Sequence, residues 1–155
     1  MVVSGAEMRL EEVAHNLFDT LTQLALVVPR GRRRAGDLKE VEFLTLSILQ
    51  QHGTMIVGDI QRLLGVLPAQ MSRIIRSLET HSRPLISCRI NPHDKRKIDV
   101  CLTAAGEKAL HEYQSQRIQS IVEILQRYPE DDLDGLDQTL AKLRETLERQ
   151  PVSQE

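Results

Sequence analysis

Between residues 6 and 28 apolar side chains recur at three- and four-residue steps: Leu10, Val13, Leu17, Leu21 and Leu24. On a helix of 3.6 residues per turn these form one stripe, so a long amphipathic helix is expected there, ended by Pro29 and Gly31. Val41, Leu44, Leu46, Ile48 and Leu49 predict a second helix over 38–51, with Asp37 as N-cap, Glu40 as its capping-box partner and Gly53 as its stop. Residues 54–57 read as a short strand and 58–64 as a short helix facing inward through Ile60, Leu63 and Leu64. Gly65-Val66-Leu67 is then a turn. Pro68 suits the first turn of a helix over 68–79, where Met71, Ile74, Ile75 and Leu78 fall at i, i+3, i+4 and i+7.

Here the period changes. Ile98, Val100 and Leu102 alternate with Asp99 and Cys101, the pattern of a half-buried strand, and residues 85–90 are its partner across a turn at 91–95. Thr103 is a plausible N-cap for a helix from 104 to about 127, with Leu110, Tyr113, Ile118, Ile121, Val122 and Leu125 as its apolar positions. Pro129 breaks it, and Glu130, Asp131 and Asp132 favour the start of a last helix. Leu133, Leu136, Leu140, Leu143 and Leu147 give that helix the spacing of a helix–helix seam. Helix, strand, charged tip, strand, helix is the order of a winged helix-turn-helix. The fold class is therefore mainly α with a small β-hairpin, a winged helix-turn-helix flanked by N- and C-terminal dimerisation helices.

The length of 155 residues suits a single domain, 1–155. Within it, 37–103 is the expected DNA-binding lobe, and 6–28 and 104–149 the expected dimerisation helices. Those flanks carry more apolar face than so small a lobe can cover, and large uncovered patches mark interfaces. No apolar run reaches the roughly 18 residues of a membrane span, and residues 1–5 lack a signal-peptide pattern. Two cysteines suggest no disulfide framework. The expected location is cytoplasmic and nucleoid-associated, without a membrane partner.

A net charge of −2 conceals an asymmetry. Residues 30–97 hold 13 Lys/Arg against 6 Asp/Glu, a net +7, while both flanks are acidic. A positive middle between negative ends is the footprint of a nucleic-acid-binding core. The polar face of the helix over 68–79 consists of Ala69, Gln70, Ser72, Arg73, Arg76 and Ser77. The major groove of B-DNA admits an α-helix, Gln can pair with adenine and Arg with guanine, and the N-terminal end of such a helix does most of the reading. Ala69, Gln70, Ser72 and Arg73 are thus candidates for base contact, and Arg76 for phosphate. Arg32, Arg33 and Arg34 either add a phosphate contact or solubilise a loop.

The chain has no nucleophile elbow, Walker loop or dinucleotide fingerprint. Paired acids such as Glu11-Glu12 lie on helices, so neither an enzyme nor a cofactor is expected. Cys88, His93 and Cys101 match no common tetrahedral metal spacing, and no metal is expected. Cys88 and Cys101 are candidate redox thiols, with structural thiols as the plainer reading.

The run Leu67-Pro68-Ala69-Gln70-Met71-Ser72-Arg73-Ile74-Ile75-Arg76-Ser77-Leu78-Glu79, followed by Asp94-x-Arg96 and by Val100-x-Leu102-Thr103-x-x-Gly106, resembles the multiple-antibiotic-resistance regulator (MarR) family. With the flanking helices the resemblance spans about residues 6–148. It implies a homodimeric bacterial transcription factor on double-stranded DNA, usually a repressor, often released by a small-molecule effector or an oxidant. It also implies that Arg96 at the wing tip reaches into the minor groove and that Asp94 orients nearby basic side chains. Lys95 and Lys97 would add phosphate contacts. The link Thr80-His81-Ser82-Arg83-Pro84 departs from the family, whose link is usually shorter and ends in Gly. The alternative reading is a winged-helix module that binds protein, as an antirepressor or adaptor, without sequence-specific DNA binding.

Overall fold

The computed structural model describes residues 4–28 and 37–150. They fall into two compact units, one holding the first helix and the other everything from 37 onward. The basic run Arg32–Arg34 lies outside the described residues.

The first helix, α1, spans Gly5–Val27. Ser4 caps it reciprocally: its hydroxyl accepts from the Ala6 N–H at 3.2 Å, and the Glu7 carboxylate accepts from the Ser4 N–H at 3.0 Å. The expected apolar stripe is present, and within this unit Leu10, Val13, Leu17 and Leu21 are all exposed.

In the second unit, α2 spans Glu40–His52, two residues later than the Asp37 cap predicted. Lys39 is the N-cap, and its backbone N–H donates to Glu42 Oε1 at 3.2 Å. The later start leaves Leu38 outside the helix, where it enters the core at the staple position before the cap, with Phe43 packed against the same core. A two-residue strand, β1 (Met55–Ile56), leads into α3 (Val57–Leu64). Gly65 ends α3 in the left-handed region, φ 65°, where a side chain would be strained. The Gly65 and Val66 N–H groups close back on the Gln61 carbonyl at 3.0 and 3.4 Å. This is the turn of the helix-turn-helix, and α4 follows over Pro68–Glu79 with Pro at its first position.

Strands β2 (Ile86–Ile90) and β3 (Ile98–Leu102) complete an antiparallel sheet of order β1-β3-β2. Val100 stands opposite both Met55 and Cys88, and Ile90 pairs with Ile98 at the wing end. Val100 is fully buried among Leu46, Leu49, Ile60, Met71, Leu78, Ile86 and Leu110, so α2, α3, α4, the sheet and the start of the next helix share one core.

That helix, α5, spans Ala104–Leu125, and α6 spans Glu130–Glu148. The Phe43 ring of α2 stacks on Tyr113 of α5, with centroids 4.2 Å apart, and the Arg117 guanidinium lies 4.0 Å above the Tyr113 ring. Past this stack the stripes find no cover: Ile118, Val122, Leu136, Leu140 and Leu147 are exposed, and no residue of α6 is buried. No described helix is long and apolar enough to cross a membrane.

Candidate nucleic-acid interface

The recognition segment is held from behind. Met71, Ile74 and Leu78 are buried and fix one face of α4 to the core. Ala69, Gln70, Ser72, Arg73 and Arg76 are all exposed. Ser77, although exposed, is engaged: its hydroxyl donates to Glu42 Oε2 at 3.1 Å. Glu42 is 5% exposed, so a buried carboxylate at the start of α2 ties the recognition helix to its neighbour. Sequence patterning had no access to this pair, because Glu42 and Ser77 are 35 residues apart.

The wing is built by two Asx turns. The Asn91 side chain accepts from the His93 and Asp94 N–H groups at 2.9 and 3.0 Å, and its amide donates to Asp99 Oδ1 at 2.9 Å. Its backbone N–H donates to the Lys97 carbonyl at 2.9 Å. Asp94 repeats the device: Oδ1 accepts from the Arg96 N–H at 3.0 Å, and the Lys97 N–H closes on the Asp94 carbonyl at 3.0 Å. The tight turn is thus 94–97, near the tip, rather than the whole of 91–95. Asn91 was missed as an organising residue, although Asn before Pro between two apolar runs is a turn signal.

Asp94 and Arg96 also meet through their side chains, Nε to Oδ1 at 3.3 Å. The Arg96 side chain remains 91% exposed, against 30% for Asp94. The two hydrogen bonds from Arg96, backbone first, hold the Asp94 carboxyl below the usual carboxylate range. Lys95 and Lys97 are exposed on either side of Arg96. The tip therefore presents three cations on a turn whose single acid is already engaged.

The unusual link is anchored at both ends. Thr80 donates through N–H and hydroxyl to the Arg76 carbonyl at 3.0 and 2.7 Å, and the Leu85 N–H donates to the Leu78 carbonyl at 3.0 Å. Thr103 secures the far end: its hydroxyl donates to the Pro84 carbonyl at 2.6 Å and accepts from the Gly106 N–H at 3.0 Å.

The two cysteines occupy opposite faces of the sheet, Cys88 beside Val100 and Cys101 beside Ser87. Burial, and then a hydrogen bond to Glu79, push the Cys88 thiol up to about 12. The Cys101 thiol donates to the Ser87 carbonyl at 3.6 Å. Among the described residues no group of three or more His, Cys, Asp or Glu could hold a metal ion.

No curated protein matches the chain in sequence. The model of the MarR family matches residues 38–98. Among solved structures, YusO from Bacillus subtilis aligns with a TM-score of 0.67 at 21% identity, over 92% of this chain and 99% of its own. The transcriptional regulator Tm0710 from Thermotoga maritima aligns at 0.69 and 19% identity, over 90% and 96%. BpsR of Bordetella bronchiseptica, whose DNA binding is regulated by 6-hydroxynicotinic acid, aligns at 0.61 and 19% identity, over 86% and 98%. MarR-family proteins are transcriptional regulators, not enzymes. Residues 38–98 thus match the MarR-family model, and the chain shares the winged-helix fold of these solved structures.

Proposed function

We propose that the protein is a homodimeric repressor that binds a pseudo-palindromic operator in double-stranded DNA and leaves it when a small molecule binds. The observation that carries this reading is the uncommitted face of α4. Ala69, Gln70, Ser72, Arg73 and Arg76 are exposed on a helix whose other face is locked into the core. Gln70 and Arg73, near the N-terminal end, read base edges, and Arg76 contacts phosphate. Arg96 enters the minor groove from the wing, with Lys95 and Lys97 on flanking phosphates.

The dimer rests on the apolar surface that each unit leaves uncovered, on α1 in one and on the distal parts of α5 and α6 in the other. Twofold symmetry then spaces the two recognition helices about 34 Å apart, one turn of DNA. Cys88 is a poor site for an oxidant trigger, because burial and the hydrogen bond to Glu79 raise its thiol to about 12. Regulation of BpsR by 6-hydroxynicotinic acid gives a small-molecule precedent on the same fold.

The test is selection of bound fragments from a random DNA pool by the purified protein, with and without peroxide. Enrichment of an inverted repeat, insensitive to peroxide, is expected. A pool that stays random would overturn the reading in favour of a protein-binding module.

A further inference from the structure

Leu67 is 74% exposed, and it stands at the N-cap of the recognition helix. That position favours Ser, Thr, Asn or Asp, whose side chain can satisfy a free N–H of the first turn. Leu67 makes no such bond. A lone exposed leucine needs no explanation in general. This one forgoes a helix cap and also spends its apolar surface in water, so the fold gains nothing from it. Pro68 and Ala69, both exposed, continue the apolar surface, and Gln70 and Arg73 follow on the same exposed side of α4. The end of the helix that enters the major groove is therefore apolar, while the cations stand further along it.

One group in the major groove is apolar, the C5-methyl of thymine. We propose that Leu67, with Ala69 beside it, reads a thymine methyl in each half-site, making Leu67 a specificity-determining residue. This rests on the DNA-binding reading above. The occupant follows from the placement: a net +7 segment brings the helix to a polyanion, and the apolar end then meets the groove floor rather than the phosphates. An apolar contact releases no counterions, so it changes affinity without changing the salt slope.

The test uses the operator enriched by the wild-type protein. Each thymine of a half-site is replaced in turn by deoxyuridine, which removes the methyl and leaves base pairing intact. At one position wild type should bind about fourfold more weakly, the worth of one buried methyl. Leu67→Ala should bind the parent operator more weakly and be indifferent to that uracil, with both salt slopes unchanged. Leu67→Ser should gain thermal stability from the restored cap and still lose operator affinity, a split that a structural role cannot produce. An operator bound equally well with uracil at every position overturns the proposal and leaves the DNA reading standing. Equal methyl sensitivity in Leu67→Ala also overturns it. A pool with no enriched sequence overturns both.

Discussion

Gly106 lies against Leu85 so closely that a Cβ there would overlap the Leu85 carbonyl oxygen and come within 2.8 Å of Leu102 Cδ1. The same carbonyl accepts from the Thr103 N–H at 3.1 Å. Helix α5 thus starts directly on the segment that joins the recognition helix to the wing. The opposing atom is backbone and cannot swing aside. Ala is ordinarily the better helix residue by about 1 kcal/mol, but here overpacking dominates. Gly106→Ala should cost about 1–3 kcal/mol in urea unfolding. Gly135 in α6, with nothing within 4 Å of its Cβ position, is the control, and Gly135→Ala should stabilise by about 0.5–1 kcal/mol.

Asn91 decides the shape of the wing without offering it a charge. Asn91→Ala removes an Asx turn and the bond to Asp99 in a peripheral loop, so global stability should fall by only about 0.5–1.5 kcal/mol. Operator affinity should fall toward that of Arg96→Ala, because Arg96 loses the turn that aims it. Arg96→Ala itself should reduce the slope of log affinity against log salt by about 1. Gel shifts at several salt concentrations check both, and an unchanged slope in Arg96→Ala would remove the wing from the interface.

These contacts show what could be read along the chain. Periodicity placed the helices because Met71, Ile74 and Leu78 are spaced as a core face, and alternation placed β3 because Val100 must point inward. The motif Thr103-x-x-Gly106 was visible as a motif, but its reason was not: the Pro84 and Leu85 carbonyls lie about twenty residues upstream. The cap of α2 was misplaced for a similar cause. Asp37 with Glu40 satisfies a local rule, whereas burial of Leu38 is decided by the folded core. The exposed residues of α4 were legible from its pattern, and Glu42, which braces that helix, was not.

Glu42 and Ser77 form that brace at 3.1 Å. Ser77→Ala leaves the buried carboxylate with the Lys39 N–H and without the hydroxyl. A hydrogen bond to a charged group contributes about 1.5–3 kcal/mol, so the urea midpoint should fall with an unchanged m-value. Ser77→Thr keeps the hydroxyl and should retain most of the stability. Equal midpoints for Ser77→Ala and wild type would show that the brace contributes nothing.

Asp94 sets the acid limit of the wing tip. Its carboxyl is held below the usual range, so the charged form stabilises the folded turn. That contribution is fully present above the unfolded value of about 3.9 and is lost as pH falls through the lowered folded value. The Arg96 backbone amide resonance should therefore stay put from pH 7 to 5 and move only below about pH 4. Asp94→Asn should abolish the movement. A midpoint near pH 6 would assign the movement to a group other than Asp94.

Cys88 should be an unreactive thiol. With its ionisation pushed up to about 12 by burial and by Glu79, its thiolate fraction at pH 7.5 is on the order of 1 in 10⁴ or lower. The thiolate is the nucleophile, so alkylation of Cys88 in the native protein should run at least ~100-fold slower than in urea, followed by mass spectrometry of the Cys88 peptide. Glu79→Gln removes one negative charge and should speed the native reaction, while burial, the larger cause, keeps it slow. Because Cys88 and Cys101 project from opposite faces of the β2–β3 hairpin, peroxide should also yield no disulfide between them within one chain. Native alkylation at the unfolded rate, or a rapid intrachain crosslink, would mean that the hairpin opens in solution and would restore an oxidant as a release signal.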